Sequence, residues 1–481
     1  MKVNFRRQEI EYENPMILYR KLTDNGNNLS MLMESKSLNL AYGRQSIIIP
    51  RPRINLIGKG NYFEIKALDD IGKTILSHFT RQDFDYCNKL EINKSSISGT
   101  VYSRRTNDLS EDKRLKAKNL SCVIRTFLNK FEINDEHAAL YGAISYDFVR
   151  QFENIGDKFK GGIDFNLFLP TEVVFFDEIR KRAFVKSFEF DGIQGLEFKE
   201  LKPSEQINPS KVSYYTDMDE KEYIKKVKHI KDHIANGDFI QCVLSRKVGI
   251  TLNQNPLKSY IRLSEINPSP YSFFFNFGDE QLFGTSPELF VKVKDRRVEM
   301  RPIAGTIKRS SCPIEDAEKR IQLLTDEKER REHTMLVDLG RNDLSRVCEN
   351  VKVDEFMVLE QYPNLYHIVS GVRGDLIRGY DSIDALLVST PAGTLSGAPK
   401  VRAMKEIEEL ENSRRGYYGG CIGYLSFDGS LNTGITIRSV HVKDKIASVR
   451  AGSGIVYHSM PEKELLESKL KSEKILECIT K

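Results

Sequence analysis

The stretch "CIGYLSFDGSLNTGITIRSV", Cys421 to Val440, decides the fold. Two largely apolar runs flank Asp428-Gly429, a dipeptide that reaches positive φ cheaply and turns a chain back on itself as a hairpin. Strand readings extend outward from it over "YSFFFNFG" (271–278), "LFVKV" (289–293) and "IASVRAGSGIV" (446–456). In "FIQCVLSRKVGI" (239–250), Phe239, Gln241, Val243 and Ser245 share one face while Ile240, Cys242 and Leu244 share the other. Gln241 thus sits on an apolar face, which calls for an explanation.

Helices interrupt these strands irregularly. Thr216 to Asp219 reads as a capping signal before a helix with Tyr223, Val227, Ile230 and Ile234 on one face, closed by Gly237. "TDEKERREHTMLVDLGRNDLSRV" (325–347) reads as a second helix, with Met335, Leu336 and Leu339 apolar. Strands, a long helix and strands again, without regular βαβ alternation, predict an α+β fold of large, mostly antiparallel sheets packed with helices. The N-terminal third, with "QSIIIP" (45–50) and "LYGAISYDFV" (140–149), is also mixed. A polar passage around Pro203 and Pro209 suggests a soft division into residues 1–212 and 213–481.

At 481 residues the chain can bury a deep pocket. Its 73 Lys and Arg against 68 Asp and Glu give a net charge of +5 that is spread out, so no basic footprint for nucleic acid is expected. There is no signal-like start or apolar run of transmembrane length, which points to a cytoplasmic protein that does not enter membranes. Seven scattered cysteines without a C-x-x-C pair read as reduced thiols and give no zinc motif.

Several segments carry chemistry. Glu329 and Glu332 lie three apart on one helix face, and Glu464 and Glu467 repeat the spacing in "PEKELLESKLKSEKIL" (461–476), with Lys471 a turn beyond. Two such faces could hold Mg²⁺, which prefers oxygen ligands and keeps waters, although paired glutamates also decorate solvent-facing helices. Glu288, after a proline at the head of an apolar strand, is a candidate general acid if burial raises its pKa. His367 in "NLYHIVSGVRG" (364–374) is either a base or a hydrogen-bonded core residue. Arg438, in a strand that reads as buried, calls for an anionic partner. "PAGTLSGAPKVRAM" (391–404) fails as a Walker loop, because only three residues separate Gly393 from Gly397 and Lys400 precedes Val401. What remains is a helix start, with Pro399 suited to its first turn.

Together, "NPSPYSFFF", "GTSPELF", "RPIAGT", "DEKERREHTMLVDLGRND", "YHIVSGVRG", "GTLSGAPKVRAM", "RRGYYGGCIGY", "AGSGIV" and the terminal E-x-x-E resemble the chorismate-utilising enzymes over nearly the whole chain, most closely their anthranilate synthase component I group. The resemblance implies that Glu332 and Glu467 bind Mg²⁺, that Glu329 and Glu464 assist, and that Glu288 is the general acid. It places His367 and Thr394 at the ring and its enolpyruvyl group. It assigns Tyr418, Arg438, Gly452, Gly454 and Lys471 to substrate carboxylates, with Gln241, Ala304, Gly305 and Thr306 also in the substrate site. Siblings that add water carry a lysine base at the place of Gln241, and the folate-branch sibling typically has a nucleophilic lysine at Ala304. Both residues here fit direct attack by ammonia, so the implied reaction converts chorismate and ammonia to anthranilate and pyruvate. An aminodeoxychorismate or aminodeoxyisochorismate synthase is the alternative enzyme, and a tryptophan-binding regulatory subunit the non-enzymatic one.

The same resemblance implies a separate glutamine amidotransferase partner that supplies ammonia, hence a hetero-oligomer. It also implies a tryptophan inhibitor site formed by Glu34 and Ser35 of "MLMESKS" with Pro270, Tyr271 and Ser272. Met33 stands where that element has leucine, and Ser272 where sensitive members usually have methionine, so weak inhibition is implied.

Overall fold

The computed structural model describes residues 2–36, 44–102, 109–190, 214–362 and 364–480. The proposed division at 212/213, with Pro203 and Pro209, lies outside the described residues. Among the described residues two sheets, of 12 and 13 strands, form the frame, and every pair of named strands is antiparallel. Both sheets draw strands from either side of that division. In the first, Ser30–Glu34 lies beside Tyr271–Asn276; in the second, Ala139–Ile144 lies beside Cys421–Ser426. One continuous core takes Met31, Ile47, Phe273 and Phe275 from the first sheet and Ile54, Leu56, Tyr141 and Phe165 from the second.

The Asp428-Gly429 hairpin is present, with Gly429 at φ 85° between strands Cys421–Ser426 and Leu431–Ile435. The rest of that stretch departs from the sequence reading. The strand stops at Ile435, the chain leaves the second sheet, and Ser439–Lys443 belongs to the first. Arg438 therefore lies at a crossover, not inside a strand, and holds φ 51°, a left-handed conformation uncommon outside glycine. A second crossover runs beside it. Glu280–Ser286 is in the first sheet and Leu289–Lys294 in the second, with Glu288 between them. The Ile435 N–H donates to the Glu288 carbonyl at 3.0 Å and the Thr285 N–H to the Arg438 carbonyl at 3.2 Å. The crossovers are thus bonded to each other.

Helices cover the sheets. Asp219, not Thr216, caps the helix Glu220–Ala235: its carboxylate accepts from the Glu222 N–H at 2.9 Å, while Thr216 ends a short strand. Glu327–Ser345 starts at its own cap, Asp326, and packs on strands of the second sheet. Pro461–Thr480 packs on Ile446–Ile455 of the first. Pro399 is the residue before the helix Lys400–Leu410 rather than within its first turn, and the Lys400 ammonium is taken by Asp343 at 2.5 Å, so this loop offers no free lysine to an anion. No described helix is long and apolar enough to cross a membrane. All seven cysteines are free.

The seam between Ala139–Ile144 and Cys421–Ser426 sets Gly142 opposite Gly423. A Cβ on Gly142 would lie 2.2 Å from the Asn166 carbonyl oxygen of the next strand, a contact with backbone that no side-chain rotation relieves. Gly142→Ala is therefore expected to lower unfolding free energy by about 1–3 kcal/mol, the usual range for overpacking. Urea denaturation with an unchanged midpoint would contradict this.

Candidate active site

A cavity of about 420 Å³ opens where the crossovers, the two acidic helices and the strand Gln241–Thr251 converge. Glu329 and Glu332 reach it from the first two turns of Glu327–Ser345, and Glu464 and Glu467 from the corresponding turns of Pro461–Thr480. Two helices lying on different sheets thus turn their acidic N-terminal faces onto one space. No three of these carboxylates bring oxygens within 4.8 Å of one another.

Electrostatics distinguish the acids. Burial raises the Glu332 carboxyl to about 7, and the neighbouring charge of Glu329 adds to the rise. Glu329 is raised by burial as well. Like charges held together in a partly dry site ionise reluctantly, and a divalent cation would relieve that directly. The all-oxygen donor set is the chemistry that Mg²⁺ accepts. In the same cavity Glu288 is 5% exposed and raised by burial to about 8. The Thr394 hydroxyl donates to its Oε1 at 3.1 Å. Glu288 is thus a protonated, dry acid at neutral pH.

The cationic part of the wall is Arg438. Burial lowers its pKa, and among the described residues no carboxylate lies within salt-bridge distance of its guanidinium. An arginine in that state is a receptor for an anion. Arg450, which the sequence reading did not single out, also borders the cavity, but its guanidinium is taken by Glu411 at 3.0 Å and Asp217 at 3.1 Å. It stiffens the strand Ile446–Ile455 instead. Lys328 at the rim was missed too; nothing in its spacing separates it from its charged neighbours.

The remaining sequence candidates fall as follows. Gln241, Ala304, Gly305, Thr306, Thr394, Tyr418, Arg438, Gly452, Gly454 and Lys471 all line the cavity. The Lys471 ammonium reaches the Gly452 carbonyl at 3.0 Å and Glu467 at 2.6 Å. Gln241 is buried, and its Oε1 has no hydrogen-bond partner. Its amide sits where a Cβ on Gly454 would come within 2.5 Å of Nε2, so glycine there is what makes room for it. An orphan acceptor buried at a cavity wall is costly unless a ligand satisfies it. His367 stands behind the wall, its Nδ1 2.8 Å from the Thr306 hydroxyl oxygen. Burial, helped by the charge of Arg438, lowers its pKa to about 4, so the ring is neutral at neutral pH.

A second convergence lies across the first sheet. Glu34 and Ser272 face each other on adjacent strands, and Glu34 accepts the Tyr260 hydroxyl at 2.5 Å and the Lys36 ammonium at 3.2 Å. Lys36 N–H donates to the Ser269 carbonyl at 3.0 Å, tying the segment after Ser35 to the turn before Pro270 and Tyr271. Residues more than two hundred positions apart in sequence are neighbours here.

Residues 84–477 match the family described as chorismate binding enzyme. Anthranilate synthase component 1 of Aquifex aeolicus is 35% identical, the alignment covering 98% of this chain and 93% of that protein. The crystal structure of anthranilate synthase component I from Streptococcus pneumoniae is 30% identical over 90% of this chain and 92% of that one, with a TM-score of 0.67. The menaquinone-specific isochorismate synthase from Escherichia coli shares the fold, with a TM-score of 0.68 over 99% of this chain and 95% of that one, at 16% identity.

The raised pKa of Glu288 has a signed consequence. Between about 4.5, the ordinary value, and about 8, this carboxyl keeps its proton in the folded protein and loses it in the unfolded chain. The folded state then binds more protons, so this group's contribution to stability falls as pH rises through that window, by up to about 1.4 kcal/mol per unit, and levels off above it. In Glu288→Gln that decline is absent, so the variant gains on the parent with rising pH. Urea titrations across the window measure it; parallel pH profiles for the two proteins would show that Glu288 ionises normally.

Proposed function

The chain belongs to the chorismate-binding enzymes, and within that family we propose that it makes anthranilate and pyruvate from chorismate and ammonia. The observation that carries the reading is that Glu288, raised by burial, lines one cavity with the paired glutamates and with Arg438, which among the described residues has no carboxylate partner. Such a wall suits a small dicarboxylate that must lose a hydroxyl. The two full-length comparisons of 30% and 35% identity, both with proteins named anthranilate synthase, point the same way.

Glu332 and Glu467, assisted by Glu329 and Glu464, are proposed to hold Mg²⁺. Bound there, the ion would neutralise the ring carboxylate and draw electron density from the ring. The chain's own groups do the rest. Arg438 and Tyr418 grip the second carboxylate, and Lys471 adds positive charge beside Glu467. Glu288, oriented by the Thr394 hydroxyl, gives its proton to the departing hydroxyl. Gln241 presents an acceptor oxygen to ammonia, which is already nucleophilic and needs a place to be held rather than a base. Ammonia adds at the carbon next to the ring carboxylate. His367, neutral and linked to the cavity by Thr306, takes the ring proton as pyruvate departs and the ring becomes aromatic.

Ammonia is proposed to come from a separate glutamine amidotransferase component, as the name component 1 of the relatives suggests. The reading includes a cytoplasmic setting, which the free cysteines fit. We also propose that tryptophan binds where Glu34, Ser35, Pro270, Tyr271 and Ser272 meet, which the pairing of Glu34 with Ser272 supports.

The purified chain given chorismate, Mg²⁺ and ammonium should release anthranilate and pyruvate in equal amounts, with none when Mg²⁺ is chelated. Glu288→Gln should fold, bind Mg²⁺ and turn over about 10²–10⁴-fold more slowly. A non-aromatic amine as the sole product would instead assign the chain to the aminodeoxyisochorismate branch. For regulation, anthranilate formation is measured over a range of tryptophan. Partial inhibition, relieved by Glu34→Ala, is expected; a flat response rejects the inhibitor site.

A further inference from the structure

Away from the cavity, the helices Glu220–Ala235 and Lys400–Leu410 meet over a shared apolar cluster that includes Val227, Ile230, Phe239, Ala403 and Ile407. At the edge of that contact His229 and His233, one helical turn apart, project toward Glu406 of the other helix. One ligand atom from each of the three lies within 4.8 Å of the other two, and among the described residues this is the one such trio of His, Cys, Asp or Glu. It is also set where a metal would be useful to the fold, bridging two helices.

The surrounding contacts favour an ion over a plain salt bridge. Glu406 is buried, and Arg402 binds its Oε2 at 2.9 Å, which leaves Oε1 free to face His229 Nε2 at 3.0 Å. Asp238 hydrogen-bonds Nδ1 of His233, the carboxylate–imidazole arrangement that orients a ring and leaves its other nitrogen for a metal. Arg402 also reaches Asp238 at 3.4 Å and lies over the Phe239 ring, so it bridges the carboxylates from one side. Two carboxylates against one guanidinium border the two rings, an attractive setting for a cation. Two imidazoles and a carboxylate select a borderline transition-metal ion over Mg²⁺, which the all-oxygen cavity suits better.

We propose that His229, His233 and Glu406, with Asp238 orienting His233, form a second metal site that binds Zn²⁺ or a similar divalent transition metal and staples the two helices together. The ion would sit between His229 Nε2 and Glu406 Oε1, with water completing its coordination.

The test uses the full chain, stripped with a chelator and then saturated with Mg²⁺ so that the glutamate cavity is occupied. Zn²⁺ is titrated calorimetrically, and thermal unfolding is followed with and without it. One equivalent should bind and raise the melting temperature. His229→Gln and His233→Gln, on a half-exposed helix face and checked for native circular dichroism, should each weaken binding at least tenfold and abolish the thermal shift. Asp238→Asn should keep the stoichiometry and weaken binding by about tenfold, the scale on which orienting carboxylates act. No Zn²⁺ uptake under Mg²⁺ saturation, or equal uptake by the parent and both histidine variants, overturns the proposal.

Discussion

The cavity exists because the chain passes between the two sheets twice at adjacent points and bonds the crossings together. Leu289 pairs with Gly434 in one sheet and Gly284 with Ser439 in the other, and between these pairs the Glu288 and Arg438 carbonyls each accept an N–H from the opposite crossover. Backbone leaving one sheet for another must have its polar groups satisfied elsewhere. Here each crossing satisfies the other, which frees two side chains to face inward. The strained φ of Arg438 is the local consequence, held in place by a strand on each side.

Burial then sets the chemistry. The same dryness that keeps Glu288 protonated lowers the pKa of Arg438 and lifts Glu332, because each charged form loses hydration. The two walls relieve this differently. Thr394 donates to Glu288 without charging it, whereas the glutamates crowd one another and gain from a cation. Arg438 gains from an anion. A ligand that carries carboxylates and arrives with a divalent ion satisfies both walls at once, and neither wall is at ease without it.

How much of this was legible in the sequence follows from the range of each signal. The hairpin at Asp428-Gly429 and the acidic i,i+3 faces are local patterns, and both are present as read. The Thr216 signal misled because Asp219, three residues on, caps the same helix, and a strand claimed Thr216 first. The sheet switch at Arg438 was invisible, since an apolar alternation continues through "GITIRSV" whichever sheet receives each half. Pairings between strands hundreds of residues apart leave no trace in periodicity. The free Arg438 and the occupied Arg450 differ only in the carboxylates that tertiary packing brings to them. That Glu288 and the four glutamates share one cavity came from resemblance, and the geometry supplies the physical reason those motifs travel together.

The likeness to an isochorismate synthase at 16% identity shows that the frame does not choose the reaction. The choice rests on what a nucleophile meets at the wall. The resemblance gives water-adding siblings a lysine at the place of Gln241, and water needs a base to attack. A lysine here would set a charged amine beside Glu332, because the Gln241 amide already lies at the surface that Gly454 shares with Glu332 Oε1. A neutral amide forms no such ion pair and leaves its carbonyl oxygen open, an acceptor that, on the proposed reading, a molecule with N–H bonds and a lone pair satisfies.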